Sequence, residues 1–213
     1  MLNHSGLIVF DMDSTLISIE CIDEIAHLLG QRDAVAAITE QAMRGEIDFA
    51  ASLKQRVSLL EGVDVSLFDS LFNPIPLTQG AQQLIDFCKL KNWYCVVVSG
   101  GFTWFSAKVA GELGLDLHIA NELEMSDNRL TGRVLGAIVD GQKKAETLQM
   151  LRQQLPEDVP VVAVGDGAND QWMLRAADLG IAFCAKPLLQ EIADVTINQP
   201  DLALIIPELE KRF

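Results

Sequence analysis

The sequence predicts an α/β protein: a three-layer, Rossmann-like parallel sheet core with a small helical domain inserted after the first strand. Three observations predict it. Apolar β-rich runs recur at "LIVF" (7–10), "NWYCVVVSGG" (from 92) and "VPVVAVGDGAND" (from 159), each stopping at a small or acidic residue before a turn. Helix-like stretches separate these runs, and strand–helix alternation implies parallel pairing with helices on both faces. Residues 17–75 break the alternation, with no convincing strand.

The elements follow in order. "LIVF" reads as a short strand buried on both faces. "IECIDEIAHLLG", "DAVAAITEQAMRG", "DFAASLKQRVSLLEG" and "VSLFDSLFN" read as four consecutive helices, with Gly30, Gly45 and Gly62 at three of their boundaries. "NPIPLTQG" closes this block with two prolines. "GAQQLIDFCKLKN" (80–92) carries Leu84, Phe87, Cys88 and Leu90 at near-helical spacing, and "TWFSAKVAGELG" (103–114) ends at a glycine, as helices often do. "LEMSDNRLTGRVLG" (123–136) predicts a β-hairpin turning at Asp127-Asn128. "KKAETLQMLRQQL" (143–155) is an amphipathic helix, and "NDQWMLRAADLG" (169–180) reads as a helix ending at Gly180. "LGIAF" (179–183) and "DVTIN" (194–198) are further strands. The expected division is an α/β core from 1–16 and 76–213 and a helical cap from 17–75.

Bulk properties narrow the function. The formal net charge is −14, which argues against nucleic acid or an anionic membrane surface as partner. An anionic substrate would need cations supplied locally. No apolar run approaches the ~20 residues of a transmembrane helix, and "MLNHSG" lacks the regions of a signal peptide. Cys21, Cys88, Cys95 and Cys184 are scattered with no C-x-x-C pair, so they are expected to be free thiols in a reducing cytoplasm.

Sheets of this class bind ligands at the carboxyl ends of their strands. Asp11, Ser99 and Asp166 all fall at that edge. A carboxylate held by a strand end is a competent nucleophile toward phosphorus. Asp13, two residues on, can protonate a leaving oxygen and later activate water. Asp11 and Asp166 offer hard oxygen ligands suited to Mg²⁺, with Asp170 nearby. Ser99, Gly100 and Gly101 give a hydroxyl and close-approaching amides at a strand-to-helix turn, a ready anion site. Lys144 lies in a helix start and can place charge on phosphoryl oxygens. Asn169 can support the same cluster. Singly, each residue has a plainer reading: a cap, a turn, a solvated lysine.

Together, "DMDSTL" (11–16), "SGG" (99–101), Lys144 and "GDGAND" (165–170) resemble the four motifs of the haloacid dehalogenase superfamily of phosphohydrolases. "SIECIDEIA" (18–26), "ITEQAMRGEIDFAASLKQRVSLLEG" (38–62), "VVSGGF" (97–102) and "VAVGDGANDQWML" (162–174) extend the resemblance to its phosphoserine phosphatase family, through the cap as well as the core. The resemblance implies hydrolysis of O-phospho-L-serine through an aspartyl phosphate, the last step of serine biosynthesis, in a cytoplasmic monomer or homodimer. It implies Asp11 as nucleophile and Asp13 as acid/base. Mg²⁺ is implied on the Asp11 side chain, the Asp13 carbonyl and Asp166, with Asp170 supporting. Ser99 and Lys144 are implied to contact the phosphoryl group. Glu20, Met43, Phe49, Arg56 and Gly100 are implied to line the pocket, with Asn169 assisting. Glu20 can pair with the substrate ammonium, and Arg56 can grip its carboxylate with a planar fork. Met43 and Phe49 can dry the pocket.

Many relatives carry a regulatory domain before the core; since "LIVF" begins at residue 7, none is expected here. Cys21 has no assigned role. Transfer of the phosphoryl group to an alcohol such as homoserine keeps the same chemistry, as does another small-molecule phosphatase of the superfamily. A non-enzymatic phospho-receiver also uses a strand-end aspartate, but needs neither the helical insert nor Asp13.

Overall fold

The computed structural model of the protein describes residues 3–213. Its strands are β1 (Gly6–Phe10), β2 (Trp93–Phe102), β3 (Leu117–Ser126), β4 (Arg129–Leu135), β5 (Val161–Gly165), β6 (Leu179–Phe183) and β7 (Val195–Ile197). They form one sheet in the order β4-β3-β2-β1-β5-β6-β7. Every pairing is parallel except β3 with β4.

The central strand shows why the apolar runs are continuous. Along β1, Ile8 and Phe10 pack into one buried cluster and Leu7 and Val9 into another. Successive side chains point to opposite faces of a strand, and both faces here are covered. The helices α1 (Cys21–Leu28), α2 (Arg32–Met43), α3 (Phe49–Ser58) and α4 (Leu67–Leu71) follow β1, as expected for the insert. Gly30 and Gly45 each take a left-handed φ just past the ends of α1 and α2, as the sequence expects; Gly62 is left-handed too, but α3 ends earlier, at Ser58. Beyond them come α5 (Ala81–Leu90) and α6 (Thr103–Leu113) on one face of the sheet. On the other face lie α7 (Gly141–Arg152), α8 (Gln171–Ala176) and α9 (Pro187–Gln190), with α10 (Ile206–Glu210) returning to the first.

The hairpin turns as expected: Asp127 (φ 50°) and Asn128 (φ 62°) are both left-handed, the pair required by a two-residue turn whose twist matches its strands. The hairpin also reaches back to the inserted segment. Gly62 N donates to Leu130 O at 2.8 Å, Leu130 N to Val63 O at 2.9 Å, and Val65 N to Asn128 O at 3.0 Å. A second tie joins Ile17 to Leu77, where the chain enters and leaves the insert. Between 21 and 61, among the described residues, every backbone hydrogen bond closes within the insert.

Two expectations need correction. The helix expected over 169–180 ends at Ala176, and Gly180 lies inside β6. A Cβ at Gly180 would stand 2.9 Å from the Leu174 carbonyl oxygen, so this glycine lets strand and helix approach closely instead of ending the helix. The second correction is β3, which begins at Leu117, well before the expected hairpin, and pairs there with β2. "LHIAN" was unreadable as a strand because most of it is only half-buried and its apolar alternation is weak. The four cysteines are unpaired, as expected. Among the described residues no helix is long and apolar enough to cross a membrane.

Candidate active site

Strand order reverses direction at β1 and β5, and the two strands end side by side there. The Asp11 amide donates to Val164 O at 2.9 Å, which holds the residue after β1 against the end of β5. Asp166 follows β5 directly. One oxygen each from Asp11, Asp166 and Asp170 lies within 4.8 Å of the others. Beneath them Lys144 is fully buried, with Nζ 2.7 Å from Asp11 Oδ1 and 2.7 Å from Asp170 Oδ1. Asp140 caps α7 by accepting from Lys143 N at 2.8 Å, and so fixes the first turn that delivers Lys144.

Asp170 is committed on both oxygens. Its Oδ1 takes Lys144, and its Oδ2 accepts from the amides of Asp166 (3.2 Å) and Gly167 (3.1 Å). It therefore ties the β5 turn to the lysine. The Ser99-Gly100-Gly101 segment lies inside β2, where the pairing with β3 shifts register between Val98 and Phe102, and not, as expected, in a turn after the strand; it is built just as locally. Ser99 is buried, and its Oγ accepts from Gly101 N at 2.8 Å. Asn121, buried on β3, donates to Gly100 O at 2.8 Å and accepts from Val139 N at 2.8 Å. A Cβ on Gly100 would stand 2.9 Å from Phe49 Cζ, and one on Gly101 2.8 Å from Asp13 Oδ2. Both positions are glycine because the cleft wall and the acid occupy that space.

A cleft of ≈ 780 Å³ opens over this edge, within the range of small-molecule sites. Asp11, Asp13, Glu20, Met43, Phe49, Arg56, Ser99, Gly100, Asp166 and Asn169 all line it. Lys144 and Asp170 lie beneath its floor. Glu20 accepts from Ser14 Oγ at 2.7 Å, across a sharp turn in which Ser14 has φ 56°. Arg56 is half-buried and donates through Nε to Ser52 O at 3.4 Å. Met43 lines the cleft yet is 71% exposed, so its expected drying role needs the insert to sit closer to the core. Asn121, Asp140 and Asp23 were missed by sequence reading. Asp23 alone carried a signal: it is an acid three residues after Glu20, in the first turn of α1.

The electrostatics explain how so many acids coexist. Burial raises the Asp11 carboxyl well above its usual range, Asp170 adds to the rise, and Lys144 opposes it. Burial and the neighbouring Glu20 raise Asp13 to about 7, with Cys21 opposing; burial and Asp170 do the same for Asp166, also to about 7. Burial alone would depress the Lys144 ammonium, but Asp11 and Asp170 outweigh it and hold it above its ordinary value. Burial lowers the Arg56 guanidinium, against the charges of Asp23 and Glu20. Three clustered carboxylates facing one ammonium leave two negative charges uncompensated. A divalent cation with oxygen preference fits that donor set.

A stability test follows. Asp13 and Asp166 bind protons more tightly folded than unfolded, so unfolding free energy falls as pH rises between their ordinary value of 3.8 and about 7. In chelator, the melting temperature should therefore rise by several degrees on acidification from about pH 7.5 to about pH 5.5. Added divalent cation should flatten that slope, as read by thermal scanning at each pH. A slope of the opposite sign would refute the burial argument.

The chain resembles known proteins along nearly its whole length. It is 58% identical over 208 residues to a phosphoserine phosphatase of Idiomarina loihiensis, covering 97% of this chain and 94% of that one. It is 47% identical over 199 residues to a phosphoserine phosphatase of Archaeoglobus fulgidus, covering 92% of this chain but 57% of that one. Among solved structures, a phospho-aspartyl intermediate analogue of phosphoserine phosphatase superposes with TM-score 0.88 at 41% identity, covering 97% of this chain and 99% of that one. A substrate-bound phosphoserine phosphatase complex gives TM-score 0.88 at 40% identity, with the same coverages. A family model of the haloacid dehalogenase-like hydrolases matches residues 8–175, across the β1 aspartates and the β5 turn alike, and the chain belongs to that family.

Proposed function

We propose that the chain hydrolyses O-phospho-L-serine to L-serine and phosphate, using Mg²⁺ and an aspartyl phosphate on Asp11. The observation that carries this reading is one cleft in which Asp11, backed by Lys144, faces the Ser99-Gly100 segment, with Glu20 and Arg56 along the same walls. The relatives' names support the substrate.

In this reading Asp11 attacks phosphorus while Asp13 donates a proton to the departing serine oxygen. Asp13 then takes a proton from the water that hydrolyses the acyl phosphate. A carboxyl near 7 exists in both protonation states around neutrality, as such a shuttle requires. Ser99 Oγ and the Gly100 amide hold the phosphoryl oxygens, and Asn169 steadies the β5 turn beside them. Lys144 keeps Asp11 ionised and aimed. Asp11, the Asp13 carbonyl and Asp166, with Asp170 supporting, would hold Mg²⁺, which would supply charge neutralisation of the phosphoryl group. Residues 17–75 act as a cap over the 1–16 and 76–213 core: Glu20 takes the substrate ammonium, Arg56 its carboxylate, and Met43 and Phe49 exclude water. The protein works in the cytoplasm as a monomer or homodimer.

Phosphate release from a panel of phosphomonoesters, with Mg²⁺ and with chelator, tests this. Phosphoserine should lead the panel, and chelator should stop turnover. Phosphoserine ranking level with sugar phosphates would end the substrate assignment. Arg56→Ala should cut kcat/KM for phosphoserine by about a hundredfold, the worth of a lost bidentate charged pair. It should cost far less on an aryl phosphate. Equal losses on both would move Arg56 from the carboxylate to the phosphate or to folding.

A further inference from the structure

Ser52 stands out among the serines of the inserted helices. It is 1% exposed, and its Oγ has no hydrogen-bond partner. Helical serines commonly satisfy themselves by bonding a carbonyl one turn back. Ser58 and Ser70 do so, donating to Gln55 O and Leu67 O at 2.7 Å each. Ser52 does not, although it borders the cleft. A buried hydroxyl left unpaired costs stability unless something else uses it.

Its position says what that is. Phe49, Ser52, Leu53 and Arg56 all line the cleft. Their spacing puts them on one face of α3. Phe49 reaches over Gly100 in the Ser99-Gly100-Gly101 segment. Arg56 lies seven residues further on, about 10 Å along the helix axis, and Ser52 sits between, about 4–5 Å from the Phe49 level. A ligand with phosphate at Gly100 and a carboxylate at Arg56 passes Ser52. A carboxylate has about four acceptor positions, of which a guanidinium fork fills two. In a dried cleft the remaining positions need another donor. Among the described residues, the one side-chain hydrogen bond of Arg56 goes to the carbonyl of Ser52 itself, which couples the two residues.

We infer that Ser52 is a specificity-determining residue whose hydroxyl donates to the carboxylate of the amino-acid head gripped by Arg56. This rests on the phosphoserine reading above. Ser52→Ala and the parent are compared on O-phospho-L-serine and on two carboxylate-free substrates, O-phosphoethanolamine and p-nitrophenyl phosphate, with melting temperatures measured ligand-free. The variant should raise KM for phosphoserine by about tenfold, the ordinary worth of a hydrogen bond to a charged group. Its preference for phosphoserine over the carboxylate-free pair should drop by a similar factor. The ligand-free melting temperature should hold or rise, because an unsatisfied hydroxyl has been deleted. An unchanged KM for phosphoserine, equal losses on all three substrates, or a lower melting temperature would each overturn the inference. A parent enzyme that does not favour phosphoserine would overturn the substrate reading instead.

Discussion

Asp11→Asn is expected to lower phosphoserine turnover by about ten-thousand-fold or more, the scale of losing a nucleophile from a group that acts as a unit. The melting temperature should stay within a few degrees of the parent. The fold has little reason to object. Asp11 Oδ1 accepts from Met12 N and from Lys144 Nζ, both at 2.7 Å, and the asparagine oxygen can accept from both. Burial already raises the Asp11 carboxyl, so removing its charge relieves desolvation as it weakens the lysine pair. The amide nitrogen cannot attack phosphorus. Phosphate release measures the loss, and mass spectrometry after acid quench should find the acyl phosphate on the parent alone. A variant that keeps a tenth of parental turnover would show that another group is the nucleophile.

Lys144→Ala carries the second large effect, and it is a folding effect first. Breaking a buried ion pair by removing one partner costs about 3–5 kcal/mol. In a chain of this size each kcal/mol moves the melting temperature by about 2–4 °C, so a fall on the order of 10 °C is expected. Both carboxylates served by the lysine are buried, with Asp170 fully so, and no other cation touches them among the described residues. Activity should fall with it, because Asp11 then takes up a proton more readily. Lys144→Met keeps the stem and removes only the ammonium. It should lose nearly as much stability as alanine; a methionine variant as stable as the parent would show that packing, not charge, is what Lys144 contributes.

The parts legible in the sequence are those where chemistry and backbone coincide. Asp11 and Asp166 follow strands whose apolar runs were unmistakable, and Ser99-Gly100-Gly101 closes a third such run. Three of the boundaries in the insert were announced by glycine. What stayed hidden acts through distance in sequence. Asn121 secures Gly100 from 21 residues away, and nothing in "HIANELE" marks a buried amide. Asp140 reads as any helix cap. Lys144 was found, but its depth was not, since a lysine beside Lys143 on an amphipathic helix looks solvated until Asp170 is seen beneath it. Gly180 misled because a close helix–strand contact and a helix end use the same residue for different reasons.

The two backbone ties of the inserted segment, at Ile17–Leu77 and at 62–65 against the hairpin, act together as a hinge pin. Between them the backbone hydrogen bonds of α1, α2 and α3 close within the segment, so the three helices can move as a single leaf without breaking them. Rotation about that pin costs apolar contact and the Ser14–Glu20 bond. Phosphate can then leave and water enter without disturbing Asp11, whose strand has hydrogen-bonded neighbours on both sides. The β3–β4 hairpin thereby becomes the anchor on which any such opening would turn.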